Sequence, residues 1–204
     1  MKQKINCNWH RYVDLGLPSG LLWATCNIGA SEPWERGLYF SWGNVEGHAK
    51  GSGYDFCETE YPTTPGAALT GDIPVNAKYD AARANIGGSW RIPTKNEFQE
   101  LRGNCASKWV AQEGVNGRLF TSLINDNSVF FPAADGYYGT SLDYDGEYGY
   151  YWSSSFRWQI AASDLIFNNC YVSPQSNNSR FFGFPVRPVL DHPKDSLLIK
   201  TIKR

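Results

Sequence analysis

Cysteines and histidines are the residues of this chain that could carry metal or redox chemistry, and there are five of the first and three of the second. The cysteines lack the CxxC spacing of a zinc site, and an odd number cannot pair completely within one chain. The histidines lie in three separate segments, which does not favour a shared metal or a general base. We expect mostly reduced thiols or one disulfide, no catalytic residue, no metal and no cofactor. These residues are Cys7, Cys26, Cys57, Cys105, Cys170, His10, His48 and His192.

The run Asp143-Tyr144-Asp145-Gly146-Glu147 has the alternating carboxylates and turn glycine that are typical of calcium loops. The remaining oxygen ligands at regular spacing are missing, so a solvated tyrosine-rich loop is the favoured interpretation. Lectin-type calcium and sugar binding would need a Glu-Pro-Asn or Gln-Pro-Asp triplet, and the sequence has neither. Sugar stacking on Trp158 or Tyr171 without calcium stays an alternative.

The composition favours recognition over metabolism. A length of 204 residues fits one domain, and 19 basic against 20 acidic side chains provide no field that would gather nucleic acid or anionic lipid. Aromatic residues make up 15% of the chain, which supplies large rigid contact surfaces. We expect no nucleic-acid partner and no membrane span, and no secretion signal is visible at the N-terminus. The predicted organisation is a tail at 1–11, a domain at 12–190 and a tail at 191–204.

Two main helices are predicted. One covers about 77–86, and the other opens on the capping box Thr94-Lys95-Asn96-Glu97 and ends at Gly103-Asn104. A shorter helical turn is predicted from Ser31 to Gly37.

From Trp109 onward, short alternating runs bounded by turns predict antiparallel strands, and the fold class is therefore α+β. A hairpin turn is expected at 114–117. Strands are expected at 118–123, 128–132, 150–154 and 162–172, with a last strand at 183–189 near a sheet edge because of its two prolines. In the run 162–172, Leu165 and Phe167 share one parity, which turns Asp164, Ile166 and Asn168 the other way.

Several sequence blocks are spread over nearly the whole chain. They are YVDLGL at 12–17, WATCNIGA at 23–30, YFSWG at 39–43, WRIPT at 90–94, FPAA at 131–134, GYYWSSS at 149–155 and PVRPV at 185–189. Together these blocks resemble the major paralogous domain family named from Fibrobacter succinogenes and abundant in gut Bacteroidetes. This resemblance implies a C-type-lectin-like fold related to the formylglycine-generating enzyme superfamily.

The stretch from Trp152 to Val189 also resembles the variable region of diversity-generating retroelement target proteins, in which an error-prone reverse transcriptase rewrites template adenines. The resemblance implies fixed scaffold residues, namely Ala162, Leu165, Phe167, Val172, Pro174 and Arg180. Between these residues it implies diversified positions. They are Cys170, Ser179 and the predicted ligand-binding residues. The predicted ligand-binding residues are Phe156, Arg157, Trp158, Gln159, Ile160, Ser163, Asp164, Ile166, Asn168, Asn169, Tyr171, Ser173, Gln175, Ser176, Asn177, Asn178, Phe181 and Phe182.

The residue types in this stretch agree with scrambled asparagine codons, which produce neither lysine nor glutamate. No lysine occurs between Lys108 and Lys194, and no glutamate follows Glu147. Three positions, Trp158, Gln159 and Gln175, do not follow from such codons, so they had other template codons or are not diversified.

Two groups of aromatic residues have different interpretations. The tryptophans of the scaffold blocks, Trp23, Trp42, Trp90 and Trp152, are predicted to pack in the core. The aromatic residues at 156–182, together with Arg157, would form an interface cluster if they face outward, and some of them would fill the core if they do not.

We therefore expect a monomeric ligand-binding protein and not an enzyme, displaying a diversified patch on a cell surface or a phage particle. Its unknown macromolecular ligand is a protein in the favoured interpretation and a glycan in the second. The alternatives are a non-diversified adhesin or structural module of the same family, and a formylglycine-generating-like oxidase.

Overall fold

A computed structural model describes residues 12–59, 61–144 and 146–191. The predicted tails lie outside these ranges except for Asp191. This residue forms an ion pair with Arg91, at 2.7 Å between Oδ1 and Nη2. Arg91 also pairs with Glu97, at 2.6 Å between Nη2 and Oε1.

The architecture is α+β, as predicted, and the pairs between its strands are antiparallel. The α-helices of the described ranges are α1 (Ala81–Asn85) and α2 (Lys95–Asn104), and 3-10 helices cover Tyr61–Thr63 and Pro65–Ala68. The strands are β1 (Tyr12–Asp14), β2 (Leu22–Ala24), β3 (Trp90–Arg91), β4 (Cys105–Gln112), β5 (Val115–Ser122), β6 (Ser128–Pro132), β7 (Tyr137–Tyr138), β8 (Ser141–Leu142), β9 (Gly149–Trp158), β10 (Ala161–Phe167), β11 (Val172–Ser179) and β12 (Val189–Leu190).

The strands form four sheets, ordered β1-β2-β12-β3, β11-β10-β9, β4-β5-β6 and β7-β8. The predicted last strand is shorter than expected, and its position at an edge is wrong. Val189 of β12 pairs with Trp23 of β2 on one side and with Arg91 of β3 on the other. The prolines do not interfere because Pro185 and Pro188 precede the two paired residues.

The capping box at the start of α2 is confirmed. Thr94 Oγ1 accepts from the Glu97 amide at 3.3 Å, and Glu97 Oε2 accepts from the Thr94 amide at 2.7 Å. The helix ends at Asn104, as predicted, and the chain passes directly into β4.

Two other helix predictions need correction. Helix α1 starts at Ala81 because Asp80 is extended and caps it, with a side chain that accepts the amides of Ala82 and Arg83. The segment at 31–37 forms turns and no helix, since the Glu35 carboxylate accepts the Ser31 amide at 2.6 Å.

The first hairpin turn lies at Glu113-Gly114, slightly earlier than predicted. Both residues have positive φ, of 47° and 79°, as a two-residue turn of this hand requires. Its strands β4 and β5 pair from Cys105↔Ser122 to Gln112↔Val115.

Two core clusters enclose strand β10 and so position the segment that follows Trp152. Leu165 and Phe167 belong to the cluster around Trp23 and Phe98, whereas Ala162 belongs to the cluster around Trp42. All four scaffold tryptophans are buried, which confirms the prediction for them.

Within the described ranges, no helix has the length and apolar character needed to cross a bilayer.

Asp80 joins α1 to β3 and is the subject of the first prediction. Its buried carboxylate accepts the amides of Ala82, Arg83 and Ile92 at 2.9, 3.0 and 3.1 Å. We expect Asp80→Ala to lower the free energy of unfolding by about 2–4 kcal/mol, since it leaves buried amides unpaired. Urea unfolding measures the loss. Asp55→Ala, at an exposed position, is the control, and an equal loss in both variants would contradict this role.

Candidate ligand-binding surface

The predicted segment 156–182 forms the end of β9, all of β10 and β11, and the turns between them. The chain reverses at Gln159-Ile160, where Trp158 pairs with Ala161. The return from β10 to β11 runs through 168–171. Strand β11 pairs with β10 along its length, from Ala161↔Ser179 to Phe167↔Val172, with a bulge near Leu165.

The loop at 168–171 is held by the side chain of Asn168. The Asn168 Oδ1 accepts the backbone amides of Cys170 and Tyr171 at 2.8 and 3.1 Å. The backbone amide of Asn168 donates to the Tyr171 carbonyl at 3.1 Å. Arg118 of β5 donates to the Asn168 carbonyl at 2.9 Å. Asn169, Cys170 and Tyr171 are exposed as a result, whereas the Asn168 side chain shapes the loop.

Arg180 fixes the first turn of the segment to the body of the protein. Its side chain is 0% exposed, Nη1 donates to the Gln159 carbonyl at 2.8 Å, and Nη2 donates to the Gly66 carbonyl. Its guanidinium lies 4.5 Å from the Trp42 ring centroid and 5.5 Å from that of Phe156. The Arg180 amide also donates to the Ile160 carbonyl at 3.0 Å. The burial of Arg180 agrees with its expected role as a fixed scaffold residue.

The tip of this hairpin is the most exposed part of the segment. Trp158 is 47% and Ile160 65% exposed, and Arg157 and Gln159 are exposed as well. The Arg157 guanidinium lies 5.2 Å from the Trp158 ring centroid. A tryptophan, an arginine and an isoleucine are thus exposed together at one hairpin tip. Tryptophan and arginine are residue types enriched in the hot spots of binding interfaces.

Strand β11 is the outer strand of its sheet and carries mainly polar side chains. Gln175 and Asn177 are exposed, and Gln175 Nε2 donates to Gln99 Oε1 on α2 at 2.9 Å. Ser173 and Ser176 are half-buried. Pro174 stands in this strand, half-buried, with no amide hydrogen to offer a further strand.

A cavity of 190 Å³, here called the aromatic cavity, lies beside β9 and β11. Burial raises the pKa of the Tyr150 phenol, and the neighbouring Tyr144 and Tyr171 raise it further, so this phenol stays neutral. Only Asn178 and Phe182 of its lining were predicted as site residues. The lining consists of Gly136, Tyr137, Tyr138, Asp143, Tyr144, Tyr150, Asn178, Phe182 and Phe184.

Two further cavities contain predicted site residues. The first, of 350 Å³, is here called the amide cavity, and the second, of 110 Å³, the basic cavity. The amide cavity is lined by Trp109, Asn116, Glu147, Tyr148, Asn168 and Asn169, and the basic cavity by Lys95, Arg157, Ser163, Gln175 and Asn177.

The expectation that Ser163 and Asp164 emerge at the surface is wrong. They are 2% and 0% exposed, because β10 is the central strand of its sheet and has packed residues on both faces. Ser163 Oγ lies 3.2 Å from Asn177 Oδ1, to which it donates. Asn178 Nδ2 donates to both carboxylate oxygens of Asp164, each at 3.2 Å.

Burial raises the pKa of the Asp164 carboxyl to about 8, and the hydrogen bond from Asn178 offsets only part of this rise. At neutral pH the group is therefore mainly protonated. A buried carboxyl of this kind has few polar neighbours to stabilise its charge.

The remaining predicted residues occupy intermediate positions. Phe156 and Phe182 are half-buried and pack against the Trp42 cluster, so part of this aromatic group completes the core. Phe181 and Ile166 are also half-buried, and the rings of Phe181 and Phe182 meet edge to face at 4.9 Å. The segment thus presents one hairpin tip and contributes to three cavities, instead of forming a single patch.

Sequence reasoning missed the cavity walls that precede the segment. The tyrosines between 137 and 150, Trp109 and Lys95 line the cavities from other elements. The tyrosine-rich run at 137–151 was a sequence feature that could have indicated these aromatic walls. Its loop is held by buried Asp135, which accepts the amides of Gly146 and Tyr148 at 2.5 and 3.2 Å.

Comparison with known proteins adds one partial likeness. The chain is 32% identical over 68 residues to the large ribosomal subunit protein uL11 of Methanoculleus marisnigri, which involves 33% of this chain and 43% of that protein. The chain thus matches less than half the length of this curated relative. No family model and no solved structure matches the chain.

No disulfide joins the cysteines of the described ranges, and these ranges contain no group of three or more histidine, cysteine, aspartate or glutamate side chains placed to hold a metal ion. Of the described cysteines, which are Cys26, Cys57, Cys105 and Cys170, only Cys170 is exposed.

The role of Arg180 gives the second prediction. Arg180→Met keeps the apolar stem but leaves the carbonyls of Gln159 and Gly66 without this donor, so we expect the free energy of unfolding to fall by about 1–3 kcal/mol. Arg157→Met, on the exposed part of the same hairpin, is the matched control and should change it by less than about 0.5 kcal/mol. Chemical denaturation of both variants decides the matter, and equal stability of the two would refute an anchoring role.

The buried Asp164 gives the third prediction. Its folded-state pKa of about 8 lies above the ordinary 3.8, so the folded protein holds a proton that the unfolded chain releases between these values. The wild type therefore loses stability as the pH rises through this window. Asp164→Asn cannot ionise. We therefore expect its stability relative to the wild type to increase between about pH 5 and pH 8, by about 1.4 kcal/mol per pH unit, and to level off near pH 9.

Unfolding curves at several pH values measure this gain. Asp126→Asn, at an exposed position, is the control and should follow the wild type. A constant difference between Asp164→Asn and the wild type over the whole range would show that Asp164 is not a buried titrating group.

Proposed function

We propose that this protein is a ligand-binding protein of C-type-lectin-like fold, belonging to the family named from Fibrobacter succinogenes, and that a diversity-generating retroelement diversifies its 156–182 segment. In this proposal the protein recognises a macromolecule, on a cell surface or a phage particle, and does not transform it. The α+β architecture supports the fold assignment.

One observation carries the functional proposal, namely the contrast between scaffold and intervening positions. Four of the six expected fixed residues, Ala162, Leu165, Phe167 and Arg180, are buried, at 0%, 1%, 0% and 0% exposure. The other two, Val172 and Pro174, are half-buried. Most of the intervening positions are exposed or half-buried. Such an arrangement supports diversification, because exposed side chains can change with little effect on stability whereas buried ones cannot.

The chemistry of the exposed positions supports a protein ligand first. Arg157 and Trp158 at the hairpin tip are of the residue types that dominate binding energy at protein interfaces. Asparagine and serine side chains on β11 and the 168–171 loop supply adaptable hydrogen bonds around them, as in an antibody paratope.

A glycan is the second candidate ligand, and the amide cavity favours it. Trp109 and Tyr148 provide ring faces there, and Asn116, Asn169 and Glu147 provide donors and acceptors for hydroxyl groups. Binding through this cavity would need no calcium.

The fourth prediction tests diversification directly. When this gene is sequenced from many sibling cells of one population, we expect substitutions to concentrate at the exposed positions of 156–182, above all at Asn169, Tyr171 and Asn177. Leu165 and Phe167 serve as internal controls and should stay unchanged. Substitutions spread evenly along the gene would reject diversification and favour the non-diversified adhesin or structural module.

A further inference from the structure

We infer that the aromatic cavity binds an organic cation, an alkylammonium or guanidinium group that the ligand presents. The inference rests on the proposed ligand-binding function but not on diversification of the segment.

Aromatic rings from three parts of the chain surround this cavity. Tyr138 and Phe182 stand nearly perpendicular, with ring centroids 5.2 Å apart. Phe184 stacks on Tyr150 at 4.9 Å and lies 6.0 Å from Phe182 at 55°. Tyr144 lines the cavity and is 55% exposed. Tyr150 is stacked between Phe184 and Tyr148, whereas the contacts of Tyr138, Tyr144 and Phe182 are tilted or edge to face. Ring faces carry partial negative charge, so these three rings around one space can attract a cation.

The charged group at this cavity is acidic. Asp143 is the charged residue in the lining, and no lysine or arginine is among the lining residues. Asn178 of the lining also donates to the buried carboxyl of Asp164, which is mainly protonated at neutral pH and adds no full charge. A cation in the cavity would therefore meet aromatic rings and the Asp143 carboxylate together, whereas an anion would meet repulsion from that carboxylate.

The cations of the described ranges do not fill the space. None of the cation–π contacts within these ranges involves a ring of this cavity. Arg180 lies over Trp42, and Arg36 forms an ion pair with Asp135 at 2.8 Å. The inferred cation is therefore one that a ligand presents.

The size of the cavity sets the size of the group. Its 190 Å³ corresponds to several water molecules, at about 30 Å³ each. A trimethylammonium head group or the end of a lysine or arginine side chain fits this volume, and a folded segment of a protein does not.

Titration of the purified protein with choline chloride tests the inference, and 3,3-dimethylbutan-1-ol is the probe control because it has the same shape without the charge. We expect choline to bind, and we expect the affinity of the neutral alcohol to be lower by a factor of about ten or more. Shifts of tyrosine ring signals in NMR spectra of ¹³C-tyrosine-labelled protein measure both affinities. A third titration, with Nα-acetyl-lysine methylamide, distinguishes a protein side chain from a small quaternary ammonium ligand by the order of the two affinities.

Variants locate the site. Tyr144→Leu and Asp143→Asn change exposed lining residues, and we expect each to weaken choline binding about threefold or more. Tyr12→Leu changes an exposed tyrosine on β1 that is not in the lining and should leave the affinity unchanged. Unfolding curves confirm that the three variants fold.

Three results would overturn the inference: equal affinity for choline and the neutral alcohol, no binding of any cation, or an equal loss in the lining variants and Tyr12→Leu. Each leaves the sibling-sequence result untouched, so failure of the cavity and failure of diversification are separately visible. Selective choline binding with evenly spread substitutions would support the cavity and reject diversification alone.

Discussion

The buried guanidinium of Arg180 is the interaction on which the 156–182 segment depends. It stands near the end of the segment, yet its hydrogen bonds reach the carbonyl of Gln159 near the start and that of Gly66 in a separate 3-10 helix. The guanidinium also lies over the Trp42 ring, 4.5 Å from its centroid, in a cation–π contact. A flexible hairpin tip would lose conformational entropy on binding. Arg180 fixes the backbone at the base of this tip, which would reduce that cost in the ligand binding proposed above.

The central position of β10 determines how the segment meets the solvent. A strand with neighbours on both sides and packed residues on both faces leaves no exposed side chain, and Ser163 and Asp164 are buried for this reason. Exposed positions of the segment are confined to the end of β9, the turns and the outer strand β11. In the proposed function, recognition would therefore be divided between the hairpin tip with Trp158 and the cavities beside β11, such as the one that Asn178 lines.

Local chemistry could be predicted from the sequence, and contacts between distant segments could not. The capping box at Thr94 and Glu97 involves four consecutive residues, so the sequence contains the whole interaction. The position of β12 between β2 and β3 depends on pairing with residues far along the chain, and its prolines indicated an edge instead. The burial of Asp164 involves a hydrogen bond from Asn178 on the neighbouring strand. Alternation of side chains along β10 alone cannot show such a contact. The cavity walls at 136–150 were missed because they come from outside the segment.

Pro174 gives the outer strand a second property. A strand at the border of a sheet exposes unpaired backbone amides, and proteins with such borders tend to associate edge to edge into aggregates. Pro174 removes one of these donors in the middle of β11, and the polar side chains at Gln175 and Asn177 keep the border hydrated. In the diversification proposed above, some side-chain combinations would favour association. The proline would limit edge-to-edge pairing whichever side chains were produced.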